Sequence, residues 1–186
     1  ILEFERGLAI LERGEAPEAR LRFAEGLTFA AGGRRVREGD WRRAAWLCEQ
    51  VRALIDATPT AGTPAGRLHA LNETWSQTIK ALWDHAERPR TREALHQALD
   101  VARAWYEAAP DDDFGHRSLD KPRARLAHFE REGGDYDTAA SVMAMRRPLW
   151  PPGSAQAVIV EDALVVIEDE RQAHAAGAVV AAPPNP

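Results

Sequence analysis

The sequence has a single cysteine, Cys48, which excludes an intramolecular disulfide and a zinc site built from cysteines. Apolar residues surround it in the segment WRRAAWLCEQVRALI. This pattern is typical of a buried thiol that packs as a small hydrophobic side chain. The alternative is that Cys48 is a catalytic nucleophile. We expect instead that it is a buried packing residue.

Several motifs of membrane segments and of enzyme active sites are also lacking. No apolar run approaches the roughly 18 residues that a membrane span needs, and no signal peptide opens the chain. The glycine pairs are not followed by the Lys and Ser/Thr of a phosphate-binding loop, and no HExxH pattern places histidines for a metal. The sequence therefore predicts a protein that is not an enzyme, with no cofactor and no catalytic residue.

Lysine is scarce, since only Lys80 and Lys121 stand beside 22 arginines. We interpret the arginine bias, together with abundant alanine, as typical of a GC-rich bacterial gene; recognition of anions by Arg is the alternative. The net charge of −5 argues against a general nucleic-acid binder. Because the chain begins with Ile1, we expect a piece of a larger bacterial protein, located in the cytoplasm.

What is present is a helical pattern over nearly the whole chain, with apolar residues three or four apart. Breakers divide it into about seven or eight helices. The segment TPTAGTPAG at 58–66 predicts a loop, and Pro89 is expected to interrupt the helix pattern before a cap at Thr91. A further helix is expected to start near Ser118 or Asp120, with Pro122 in its first turn.

The final helix is predicted to begin after Ser154, a good N-cap, in SAQAVIVEDALVVIEDERQAHAAG. Its β-branched triplets leave open a strand pair over residues 157–168, with Glu161 and Asp162 at the turn. The length of the segment and its charged end favour the helix.

Residues 126–151 form the clearest helical hairpin, with a turn at Gly133-Gly134-Asp135 and a second helix closed by Pro151. Ala127 and Ala139 lie twelve residues apart, as small residues do where two helices of a hairpin approach closely. Hairpins that recur along a chain indicate a stacked helical repeat.

This pattern resembles the tetratricopeptide repeat family. The resemblance is best over residues 120–151, through Leu126, Ala127, Gly134, Tyr136, Ala139 and Pro151, and it is partial over 1–31, through Gly7, Ala19 and Phe23. Glu130 and Arg146 depart from the family's usual aromatic and small residues. The resemblance implies an all-α fold of antiparallel helical hairpins in a right-handed array. That domain would span residues 1–176, with a tail or linker at 177–186.

The resemblance also implies a concave groove that binds a peptide or a partner protein along the first helix of each hairpin. The residues it implies there are Asp120, Ala124, His128, Arg131 and Glu132 in one repeat, and Phe4, Leu8, Leu11 and Glu12 in the first. We therefore expect a non-catalytic protein-interaction or scaffold module, with a regulatory or adaptor role. Neither a membrane nor a nucleic acid is expected as its partner.

The alternative is a helical domain that binds a metal or a small ligand, including an enzymatic one. It rests on the segment from Asp111 to His116, where three aspartates and a histidine offer ligands for a divalent cation. The ligand alternation and the closing glutamate of an EF-hand are missing, so a solvated loop between two helices is the competing interpretation.

Overall fold

The computed structural model describes residues 41–57, 64–83, 88–108 and 113–180, and these residues contain helices and turns but no strand. The predicted all-α fold is confirmed for this part of the chain. The hairpin predicted over 1–31 lies outside it. The helices are α1 (Trp41–Ala57), α2 (Pro64–Trp83), α3 (Arg88–Ala108), α4 (Asp113–Glu132), α5 (Tyr136–Ala144) and α6 (Ala155–Val180), with a short 3-10 turn at Arg147–Leu149.

The chain divides into two compact units, residues 1–119 and 120–186, with the boundary inside α4. Each unit is described by itself. A division of this kind is compatible with one repeat domain, so the domain predicted over 1–176 stays a prediction.

In the first unit, α2 packs against both α1 and α3. Each apolar residue of α1 that faces this core lies three or four residues from another one, which places them on one side of the helix. They are Ala44, Leu47, Cys48, Val51 and Ile55, and all are buried. The period of the sequence pattern therefore accounts for the packing of α1.

Two helix starts differ from the predictions. α2 begins at Pro64, inside the loop predicted over 58–66, and α3 begins at Arg88, so that Pro89 and Thr91 lie in its first turn. The predicted interruption at Pro89 and the cap at Thr91 are therefore wrong. Proline has no N–H to lose in a first turn, and its fixed φ suits a helix start.

The start of α4 also differs, because the helix begins at Asp113 rather than near Ser118 or Asp120. Pro122 therefore lies inside the helix, where its ring nitrogen cannot donate to the carbonyl of Ser118. Pro122 is buried. The prediction of a proline in the first turn is wrong at this position.

The turn between α4 and α5 lies where it is predicted. Gly134 has φ +79°, and the N–H of Asp135 donates to Glu130 O at 2.9 Å while that of Gly134 donates to Arg131 O at 3.0 Å. These two bonds form a Schellman motif, which ends a helix with a residue in the left-handed region. Asp135 then caps α5 by accepting from the N–H of Thr138 at 3.1 Å.

α5 ends at Ala144, well before the predicted closure at Pro151. Pro148 explains the early end, because it has no N–H to donate back to the carbonyl of Ala144. A 3-10 turn with Pro148 in its first positions follows instead.

The segment with the β-branched triplets is helical, so the predicted helix is confirmed and the strand pair over 157–168 is not formed. α6 runs for 26 residues from Ala155. The Ser154 hydroxyl caps it by accepting from the N–H of Ala157 at 3.2 Å, as predicted. α6 packs against α5, where the rings of Tyr136 and His174 lie 5.7 Å apart.

We expect Gly134→Ala to destabilise the second unit by about 1 kcal/mol, because the left-handed conformation is strained for any residue with a Cβ. The space around the new Cβ is open, so the effect isolates backbone strain. Urea unfolding followed by circular dichroism measures it.

Gly177→Ala is the matched control, since Gly177 lies in the exposed part of α6 and a Cβ there also meets nothing. This change is expected to stabilise the helix by about 0.5–1 kcal/mol. Equal effects of the two substitutions would contradict the role of Gly134 in the turn.

Candidate interaction surface

Asp120, the first of the predicted groove residues, is engaged inside the second unit. Its two carboxylate oxygens accept from Arg146, from Nε at 2.6 Å and from Nη2 at 2.9 Å, and Trp150 Nε1 donates to Oδ1 at 3.0 Å. The side chains of Arg146 and Asp120 are only 9% and 15% exposed. We call these three residues the Asp120 clasp. It joins α4 to the segment that follows α5.

The remaining groove residues of α4 lie along one side of the helix, each of them three or four residues from another member of the group. Ala124 is half-buried, and His128 Nε2 lies 3.2 Å from Glu132 Oε1, a contact that is ionic only when the histidine is protonated. Arg131 Nε lies 3.5 Å from Glu170 Oε2 on α6. The predicted groove stays a prediction, and its other predicted residues, Phe4, Leu8, Leu11 and Glu12, lie outside the described residues.

The predicted metal loop is described only in part. Asp111 and Asp112 lie outside the described ranges, and the His116 ring packs edge-on against Tyr106 with 5.1 Å between centroids. Within the part of the chain that the structure covers, no three His, Cys, Asp or Glu side chains group as metal ligands would. The metal alternative gains no support from these residues and stays a prediction.

A surface that the sequence analysis missed lies on α6, which is apolar on two opposite sides. One side packs inward through Val160 and Ile167, which are 0% and 2% exposed. The other side carries four β-branched residues that are between 42% and 60% exposed. They are Val158, Ile159, Val165 and Val166.

A seven-residue repeat in the sequence explains this arrangement, since VIVEDAL at 158–164 is followed by VVIEDER at 165–171. Seven residues make nearly two helical turns, so equivalent residues of the two repeats lie on the same side of α6. Asp162 and Asp169 thereby lie on the centre line of the exposed side. We call Val158, Ile159, Asp162, Val165, Val166 and Asp169 the α6 face.

The acidic residues of the repeat fall into two groups. Arg147 donates to Glu161 from Nε at 2.7 Å and from Nη2 at 2.8 Å, and Arg171 donates to Glu168 from Nε and Nη2, both at 2.9 Å. These hydrogen bonds hold the pKa values of both glutamates below their usual range. The described residues offer no such partner to Asp162 or Asp169. Within the described residues, the two charges on the α6 face are therefore uncompensated.

A cavity of about 380 Å³ opens at the start of the α6 face. Its apolar lining includes Trp150, Pro152 and Val158, and the ion pair of Arg147 with Glu161 borders it. Gly153 and Ala157 complete the lining. The cavity can therefore accept an apolar side chain next to the exposed valines and isoleucine.

A polar cluster in the first unit has a different character, because its groups are buried and bonded to one another. Arg52 Nη1 donates to Thr78 Oγ1 at 2.8 Å, and the Arg52 guanidinium lies 3.6 Å from the centroid of the Trp75 ring. Thr78 Oγ1 in turn donates to Thr74 O at 2.9 Å. Burial lowers the pKa of Arg52. The cluster stabilises the contact between α1 and α2.

Cys48 borders this cluster and is fully buried, which confirms the predicted packing role. Burial raises its pKa to about 11, against the opposing effects of Thr78 and Arg52. The thiol is therefore protonated at neutral pH, and the thiolate needed for nucleophilic attack is disfavoured.

We expect Asp120→Asn to destabilise the second unit by about 3 kcal/mol, because it leaves the charge of Arg146 buried without its carboxylate. Asp137→Asn is the control in the same unit, since the Asp137 side chain is 88% exposed and lies 3.4 Å from Arg171. The control should change stability by less than about 0.5 kcal/mol. Chemical unfolding measures both variants, and similar losses would contradict the clasp.

The raised pKa of Cys48 predicts that the first unit loses stability as the pH rises from about 9 to 11. The ordinary pKa of a cysteine thiol is 9.0, so in this window the thiol ionises in the unfolded chain. In the folded chain, where its pKa is about 11, it stays protonated. The loss should reach about 2 kcal/mol. Chemical unfolding at several pH values measures the loss. In the Cys48→Ala variant, the free energy of unfolding should fall less steeply with pH over this window. A variant whose free energy of unfolding falls as steeply as that of the original chain would contradict the prediction.

None of the helices in the described part of the chain combines the length and apolar content needed to cross a bilayer. Comparison of the chain with protein-family models, with curated proteins and with solved structures finds no match.

Proposed function

We propose that this chain is a non-catalytic protein-interaction module that docks a helical segment of its partner on the α6 face. The observation that carries the proposal is the row of four exposed β-branched side chains, opposite the side of α6 that packs on α5. A helix that is apolar on both sides is normally covered on both. A contiguous exposed apolar patch with a polar border is typical of an interaction site.

The four exposed side chains supply only part of the free energy that docking needs. Full burial of a valine or isoleucine side chain contributes about 1.5–3 kcal/mol. The four side chains are already about half covered, so their remaining burial would contribute roughly 4 kcal/mol in total. Association costs consume at least that much. An anchor in the cavity beside Trp150 would supply further apolar burial, as central anchors do in protein interfaces.

The resemblance to tetratricopeptide repeats supports the same class of function. We propose that the α4–α5 hairpin and α6 belong to a right-handed array of hairpins within a larger bacterial, cytoplasmic protein. In such an array the chain is a rigid scaffold that presents a surface. The face of α4 with His128, Arg131 and Glu132 would be a second place for contacts.

A display library of helix-forming peptides, selected against the full chain, tests the proposal. We expect enriched peptides whose affinity falls at least tenfold for the double variant Val165→Asp/Val166→Asp, because the new carboxylates would be desolvated on docking. Fluorescence anisotropy of the synthesised peptides measures this change.

Gln156→Asp is the matched control, because Gln156 is exposed near the start of α6 and lies outside the α6 face. It should leave peptide binding unchanged. Peptides that bind the double variant as tightly as the original chain would remove the α6 face as the docking surface, as would a library without any enriched binder.

A further inference from the structure

The two aspartates on the α6 face distinguish it from a plain apolar stripe. We infer that its partner is a basic amphipathic helix, which carries Arg or Lys at a seven-residue interval within its own apolar stripe and pairs them with Asp162 and Asp169. This inference rests on the proposed function, and it specifies the chemistry of the partner.

The positions of the aspartates make them part of any contact. Asp162 lies between the apolar pairs Val158/Ile159 and Val165/Val166, and Asp169 follows one repeat later, about 10 Å along the helix axis. A helix that covers the four apolar residues therefore covers Asp162 as well. A partner with an entirely apolar stripe would desolvate this carboxylate without compensation, which is unfavourable.

In the described part of the chain, the arginines beside the α6 face pair with glutamates. Arg147 and Arg171 each bind a glutamate of the repeat through two hydrogen bonds, and Arg131 lies 3.5 Å from Glu170. Within the described residues, neither Asp162 nor Asp169 has an ion pair. We therefore assign the charge complementary to the α6 face to the partner.

A second copy of the chain fits this surface poorly. Between Glu161 and Arg171, α6 carries five acidic residues and one basic residue. If two copies of α6 paired in parallel, Asp162 of one copy would lie next to Asp162 of the other. If they paired antiparallel, two strongly acidic surfaces would still face each other. Like charges at a helix interface discriminate against self-association, and opposite charges select a different partner.

Arginine suits the α6 face particularly well. Its planar guanidinium can bind a carboxylate through two parallel hydrogen bonds, as Arg147 and Arg171 do beside this face. It is also more weakly hydrated than lysine, so its transfer to a partly apolar contact costs less.

Three synthetic peptides of 21 residues test the inference. They share one leucine stripe and differ only at two stripe positions seven residues apart, which are Arg, Gln or Glu. With the full chain at low ionic strength, we expect the Arg peptide to bind at least tenfold more tightly than the Gln peptide, and the Glu peptide to bind most weakly. Fluorescence anisotropy measures the three affinities.

Variants of the chain then assign the preference to the two carboxylates. Asp162→Asn/Asp169→Asn should abolish the advantage of the Arg peptide, and Asp162→Arg/Asp169→Arg should reverse it in favour of the Glu peptide. Both aspartates are exposed, and circular dichroism verifies that the helices are retained. Asp100→Arg, an exposed change in the first unit, should leave the order of the peptides unaltered.

The experiments distinguish failure of this inference from failure of the proposed function. Equal binding of the three peptides, or failure of the Arg peptide to bind, overturns the inference. The proposed function still stands in that case if library peptides remain sensitive to Val165→Asp/Val166→Asp. Self-association of the chain in sedimentation, lost in the same double variant, would assign the α6 face to a second copy and also overturn the inference.

Discussion

The Asp120 clasp is the interaction on which the second unit depends. One carboxylate at the start of the unit receives three hydrogen bonds from residues 26 and 30 positions later in the chain. These bonds fix the segment after α5, and that segment sets where α6 begins. The buried charge of Arg146 needs its carboxylate, so the contact is specific as well as stabilising. The hydrogen bonds to Asp120 therefore help to determine which side of α6 is exposed.

The seven-residue repeat places some of its residues in the packed side of α6 and others on its exposed side. Val160 and Ile167 pack inward, while Glu161 and Glu168 bind arginines at the border. The four exposed β-branched residues and the two aspartates are left toward solvent. One side of α6 thus stabilises the fold through packing, and the opposite side is available for recognition. The interaction that we propose takes place on that exposed side.

Much of the fold follows from local pattern, whereas the surface does not. The helical period predicted α1 and α6, and short-range chemistry predicted the turn at Gly134 and the cap at Ser154. Helix starts at prolines were misplaced, because Pro64 and Pro89 are as compatible with a first turn as with a break. The pairing of Asp120 with Arg146 spans 26 residues, a distance that no local pattern encodes. The α6 face was missed because an apolar residue gives the same signal whether it is buried or exposed.

Trp150 belongs both to the clasp and to the cavity beside the α6 face. Any occupant of that cavity therefore touches a side chain whose indole N–H helps to hold the second unit closed. Occupancy and folding are then thermodynamically linked, and a ligand that prefers the folded unit raises its unfolding free energy in proportion to the logarithm of its concentration above Kd. The second unit would be most resistant to unfolding while its partner is bound.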